Sequence, residues 1–223
     1  MKIAGIHWWK LVGVLLVALA IVGGLLIPVP ELPILHETIR NLFYHVPMWF
    51  GMMILFTVSL VTGIMYLSKG DPDLDIISYR CASVGIFLGG LGLLTGSLWA
   101  KFTWGAWWVA DPKLNGTAAA MLTYLAYLVL RGSMDDEQKR ARLSAVYNIF
   151  AYVMMIVLIM ILPRLTDSLH PGNGGNPAFG KYDMDNTMRL IFYPAVIGWT
   201  LLGAWLVNLQ VRLDRMNLKS KTK

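Results

Sequence analysis

Six stretches of the chain are apolar almost without interruption, at about 9–27, 47–67, 81–100, 117–131, 144–163 and 188–208. A helix needs roughly 20 such residues to cross a hydrocarbon core, and only the fourth stretch is short by that measure. The apolar positions run on instead of alternating, and backbone in lipid must satisfy its own polar groups, so the pattern predicts helices. The expected fold is all-α, a polytopic membrane protein of about six transmembrane helices forming one integral domain over 1–223. Polar residues collect between the stretches and predict two functional connections, a tryptophan-rich loop at 101–116 and a histidine-bearing loop at 164–187.

Composition agrees with this reading. The chain is 57% hydrophobic and 14% charged, against about 45–50% and about 25% in soluble domains. The first stretch, preceded by Lys2 and Lys10, is too long for a secretory signal core and reads as a retained helix. The net charge of +6 follows topology and not nucleic-acid binding. With the N-terminus taken as cytoplasmic, 13 of the 19 Lys and Arg residues fall on the inner side, which favours both termini in the cytoplasm. The basic tail then contacts anionic lipid. Cys81 is the one cysteine, so this chain has no internal disulfide and no Cys-x-x-Cys-His haem attachment.

Local signals refine the connections. Pro47 is expected to open the second helix, leaving His45 just outside it at the water–lipid boundary. Gly85, Gly89, Gly92 and Gly96 give Gly-x-x-x-Gly spacings suited to close helix packing. Asn115-Gly116 reads as a turn, and Asp135 to Arg140 as a solvated connector. Pro171 keeps His170 out of helical geometry.

Four of the 9 tryptophans lie between Trp99 and Trp108. Two readings stand for this density. One is an interfacial belt; the other is a platform for a flat aromatic ligand built on Trp104, Trp107 and Trp108, with Gly105 letting the backbone come close. Asp111 either closes that segment or, with Pro112 after it, caps the next helix. An even number of crossings separates His45, Trp104 and His170, so all three share one face of the membrane. Two imidazoles beside an aromatic platform suit haem iron, and the propionates want a cation. Arg40 is the first candidate for it, Lys113 and Arg164 weaker ones. Zinc fits less well, because no His-x-x-x-His or cysteine pair occurs at ligand spacing. The spans hold almost no ionisable residue, which argues against an ion pump.

The segment Trp104-Gly105-Ala106-Trp107-Trp108-Val109-Ala110-Asp111 resembles the W-G-x-W-W-x-W-D signature of haem-handling proteins of cytochrome c maturation. Ala110 stands where that signature has a third tryptophan. Arg40 to Pro47 and Ser168 to His170 resemble the two histidine segments that flank it, and the whole plan is similar to the cytochrome c biogenesis protein C family (CcmC).

The resemblance implies non-covalent, transient haem b binding at the outer face of a bacterial cytoplasmic membrane. His45 and His170 would be axial ligands to iron and the tryptophan segment would cover the ring edge. It implies delivery to a haem chaperone (CcmE) alongside ATP-binding-cassette subunits (CcmA, CcmB, CcmD), a transfer role and not a conventional catalytic site. A membrane b-type electron-transfer haem protein and a structural subunit without ligand are the alternatives.

Overall fold

The computed structural model describes residues 2–3, 6–170 and 184–221. After a short antiparallel pairing of Lys2–Ile3 with Ile6–His7, the described chain is helical: α1 (Trp8–Leu26), α2 (Leu42–Lys69), α3 (Pro72–Trp104), α4 (Pro112–Gly132), α5 (Glu137–Met155), a π-helical stretch Ile156–Ile161, α6 (Leu162–Leu165) and α7 (Asn186–Lys221). Five spans are long and apolar enough to cross a membrane: α1, α2 with the turn before it, α3, α5 continued to Leu165, and α7. The 21-residue α4, with the short fourth stretch inside it, stands beside them as a sixth long helix. Most of the expected 164–187 loop, residues 171–183, lies outside the described residues.

Local chemistry sets the helix ends. Gly70 closes α2 at φ 69°, a left-handed conformation that glycine adopts without a Cβ penalty. Asp71 then caps α3 by accepting from the Asp73 N–H, with Pro72 at the first helical position. Asp136 caps α5 by accepting from the Lys139 N–H.

Two expectations are corrected at helix starts. A 3₁₀ turn, His36–Asn41, leads into α2 at Leu42, so Pro47 lies inside the helix and does not open it. The 3₁₀ turn has already begun the helical winding before Pro47 is reached, and His45 therefore sits on the helix itself. Asn115 and Gly116 are likewise not a turn but part of α4, which Asp111 and Pro112 start earlier. The connection between α3 and α4 shrinks to 105–111.

The glycines of α3 decide how α2 docks on it. A Cβ on Gly85 would meet the Phe56 ring at 2.6 Å, one on Gly89 the Met121 sulfur at 2.4 Å, one on Gly92 the Trp49 ring at 2.6 Å, and one on Gly96 the His45 ring at 2.6 Å. Each bulky side chain of the facing helices fills the space of a missing one, the close approach expected where lipid offers no hydrophobic drive. Around this seam Met52, Leu55, Phe56, Leu88, Tyr124 and Met155 form the main core, with Phe56 stacked on Tyr124 at 3.6 Å. Cys81 is buried there.

Ion pairs tie the opposite end of the bundle from Trp104. Arg131 bonds Asp75 (2.8 and 2.5 Å) and Arg80 bonds Asp214 (2.5 Å to both oxygens). Both guanidinium groups lie over Tyr79, at 4.5 and 4.6 Å from its ring centre. Helices α3, α4 and α7 are thereby joined at that end, leaving the Trp104 end held by other means.

Candidate functional site

At the Trp104 end a cavity of about 490 Å³ opens between α2, α3, α4, the π-helical stretch and the segment ending at His170. That volume falls in the range of small-molecule and cofactor sites, about 300–1,000 Å³. His45 and His170 both line it, although they are far apart in sequence.

His45 is held in one tautomer. Trp49 Nε1 donates to its Nε2 at 3.1 Å, and an indole N–H can only donate, so Nε2 carries the lone pair. The Nδ1 proton of the neutral ring then goes to Thr95 Oγ1 at 3.1 Å, whose own proton is given to the Leu91 carbonyl at 2.9 Å. Trp99 packs edge-on against the same imidazole, with ring centres 5.8 Å apart.

His170 is held by Asp111. One carboxylate oxygen of Asp111 accepts from Lys113 N–H (2.9 Å), Leu114 N–H (3.2 Å) and His170 Nδ1 (3.0 Å). The other accepts from Ser168 Oγ (2.9 Å) and the Leu169 N–H (2.8 Å). The cap reading of this aspartate is realised, and the same side chain also holds the 168–170 segment.

Burial of Asp111 opposes its ionisation, but the Leu169, Ser168 and Leu114 bonds and the neighbouring His170 together bring the carboxyl below its ordinary range. An ionised carboxylate only accepts, so His170 Nδ1 carries the proton and Nε2 is left to bind a ligand. Burial, helped by the Lys113 charge and opposed by Asp111, lowers the His170 pKa to about 4. The imidazole is neutral at physiological pH, the form that binds metals.

The tryptophans divide. Trp104 lines the cavity with its ring centre 5.0 Å from that of His170, and Trp108 lines it while donating to Asn115 at 3.0 Å. Trp107 is 58% exposed and does not line the cavity. The Trp107 carbonyl instead accepts from Ser97 at 2.7 Å, pinning the connection onto α3. Gly105 takes a φ of 80° at the end of α3, a conformation that favours glycine, and no protein atom lies within 4 Å of the Cβ it lacks. Ala110, which stands where the signature has a third tryptophan, is exposed and does not line the cavity.

Arg40 is engaged elsewhere. Its guanidinium donates to the Gly24 and Ile27 carbonyls (3.0 and 2.7 Å) and to Glu37 (2.6 Å), closing the C-terminal end of α1. The cations that line the cavity are Lys113 and Arg164. Sequence reasoning missed Trp49 and Thr95. With His45 on a helix, the i,i+4 spacing to Trp49 was the available signal, and it was hidden by taking Pro47 as the helix start.

Pro163 shapes the remaining wall. It has no N–H to offer the Ile159 carbonyl one turn earlier, a common cause of local helix widening, and the π-helical stretch ends two residues before it. The widened turn lies directly against α4, where a Cβ on Gly116 would meet the Leu158 carbonyl oxygen at 2.3 Å. Among the described residues no group of three or more His, Cys, Asp or Glu gathers to hold a bare metal ion. The His170 Nε2, the His45 Nε2 now held by Trp49, the indole walls and two cations are instead groups that could hold a flat metallomacrocycle with acidic side groups.

A sequence model described as CcmC, heme exporter protein C, matches residues 2–223. The heme exporter protein C of Paracoccus denitrificans is 25% identical over 177 residues, covering 79% of this chain and 73% of the relative. That of Bradyrhizobium diazoefficiens is 29% identical over 121 residues, 54% of this chain and 46% of the relative. The cytochrome c biogenesis protein CcsA of Prochlorococcus marinus is 38% identical over 92 residues, 41% of this chain but only 29% of that longer relative. With the model matching nearly from end to end, the chain belongs to the heme exporter protein C (CcmC) family.

Proposed function

We propose that this protein binds haem b non-covalently in the cavity between His45 and His170 and passes it on as cargo. The observation that carries the reading is that two imidazoles lining one cavity each give their Nδ1 proton to a fixed acceptor, Thr95 and Asp111. Such bonds fix the tautomer and raise the basicity of a metal-binding histidine. Trp104 and Trp108 would cover the ring, and Lys113 and Arg164 would meet the propionates, with Arg40 holding the turn that leads into α2.

Handover fits the way His170 is attached. Ser168, Leu169 and His170 all bond the single side chain of Asp111, so one residue anchors all three positions of the ligand-bearing segment. In this reading the cavity faces outward from a bacterial cytoplasmic membrane, the haem goes to a CcmE-like chaperone, and CcmA-, CcmB- and CcmD-like subunits of a transporter assist. A permanent electron-transfer haem is the rival, favoured by the seat of His45 on α2 and disfavoured by the loop that carries His170.

The test is an absorption spectrum and pyridine-haemochrome assay on the detergent-purified protein beside His45→Ala and His170→Ala, with chaperone loading measured in cells. Haem bound by the parent and lost or spectrally altered in both variants, with loading abolished, is the expected result. Normal binding in both variants would remove these ligands from the proposal, and normal loading without them would remove the handover role.

A further inference from the structure

The hydrogen bond from Trp49 Nε1 to His45 Nε2, at 3.1 Å, occupies the lone pair through which His45 would bind iron. We propose that Trp49 is a removable cap on His45, which iron must displace and which retakes the nitrogen as haem leaves. The inference rests on the reading of His45 as an axial ligand and adds a positioning residue to it.

The bond leaves little room for another role. The imidazole has one proton and one lone pair, and the proton is committed to Thr95. Iron and an indole N–H cannot share the lone pair that remains. The two indoles flanking His45 differ in this respect: Trp99 donates to Thr38 at 3.1 Å, away from the imidazole, whereas Trp49 donates to it.

Geometry allows the displacement. Trp49 lies one helical turn beyond His45 on α2, so the backbone delivers the N–H to the nitrogen without further chain ordering. The indole lies against Gly92, where a Cβ would come within 2.6 Å of it, and it also lines the cavity. It is therefore blocked on the α3 side and has space on the cavity side. A buried imidazole lone pair left without a partner is costly; the cap satisfies it whenever haem is absent, which lowers the barrier to giving haem up.

The test is a haem titration of the detergent-purified full-length chain as parent, Trp49→Phe and His45→Ala, with haem release followed by capture on apomyoglobin. Phenylalanine keeps an aromatic ring at this position and removes the donor together with the part of the indole that lies against Gly92. Trp49→Phe is expected to bind haem about two- to tenfold tighter and release it more slowly, the net worth of one neutral hydrogen bond. A structural role would predict the opposite sign. Binding equal to or weaker than the parent, with unchanged helicity, overturns the cap.

A second readout does not depend on that variant folding. With indole nitrogens labelled, one N–H resonance should shift in His45→Ala, and the same resonance should shift in the parent on saturation with diamagnetic gallium protoporphyrin. Its failure to move with the porphyrin also overturns the proposal. If His45→Ala binds haem as the parent does, the ligand reading itself fails; if it loses haem while Trp49→Phe is unchanged, only the cap fails.

Discussion

Replacing Asp111 by asparagine separates helix capping from ligand positioning. Asparagine caps a helix about as well as aspartate, so the bonds from Lys113 N–H and Leu114 N–H to the remaining carbonyl oxygen survive. The other oxygen becomes an NH₂ group facing the Leu169 N–H, which sits 2.8 Å from that position. Two donors then meet where a donor met a carboxylate. A hydrogen bond to a charged group contributes about 1.5–3 kcal/mol, and the buried side chain, 1% exposed, gains no compensating water. The docked state of the 168–170 segment should fall by about ten- to hundredfold relative to the undocked one.

Haem affinity should fall by up to the same factor, measured by absorbance titration of the detergent-purified protein. Helicity by circular dichroism should match the parent. Asp111→Ala should add the loss of the cap, about 1 kcal/mol, visible as earlier thermal unfolding. Haem binding by Asp111→Asn within twofold of the parent would refute the tether, as would a loss of helicity equal to that of the alanine variant.

Further expectations follow from the same geometry. Thr95→Val keeps the volume but removes the acceptor for His45 Nδ1; haem affinity should drop about 10–100-fold, the usual effect of losing such a partner, and an unchanged titration would count against the assigned tautomer. Gly96→Ala puts a Cβ 2.6 Å from His45 Cε1 and should abolish the bis-histidine spectrum, whereas Gly90→Ala, with nothing within 4 Å, should be silent; equal effects of the two would contradict the packing account. For His170 the sign is that of a lowered pKa. The neutral ring is the folded and ligand-competent form, its contribution is complete above the ordinary value of about 6.5, and it is lost as pH falls through about 4. Haem titrations between pH 7 and 3.5 should therefore show binding retained at pH 5; a midpoint near 6.5 would show that His170 is not shielded as described.

Much of this protein was determined locally along the chain. Long apolar runs must be helices in lipid because no other open structure pairs every backbone group. Asp71-Pro72 and Asp111-Pro112 start helices through bonds to N–H groups two or three residues away, and Gly70 and Gly105 end them through their own φ. The two candidate histidines and the tryptophan cluster stood out for the same reason, as residue types and spacings.

What each side chain touches was decided only by tertiary structure. His45 finds Thr95 50 residues away and His170 finds Asp111 59 residues away. Those partnerships depend on the rotation and depth of one helix against another. Rotation and depth are set by which bulky ring settles over which glycine of α3, a property of two surfaces that neither stretch displays alone. The same packing turns Trp49 and Trp104 to the cavity and leaves Trp107 exposed. It also brings the guanidinium of Arg40 to the end of α1 and leaves Lys113 and Arg164 as the cations at the cavity wall.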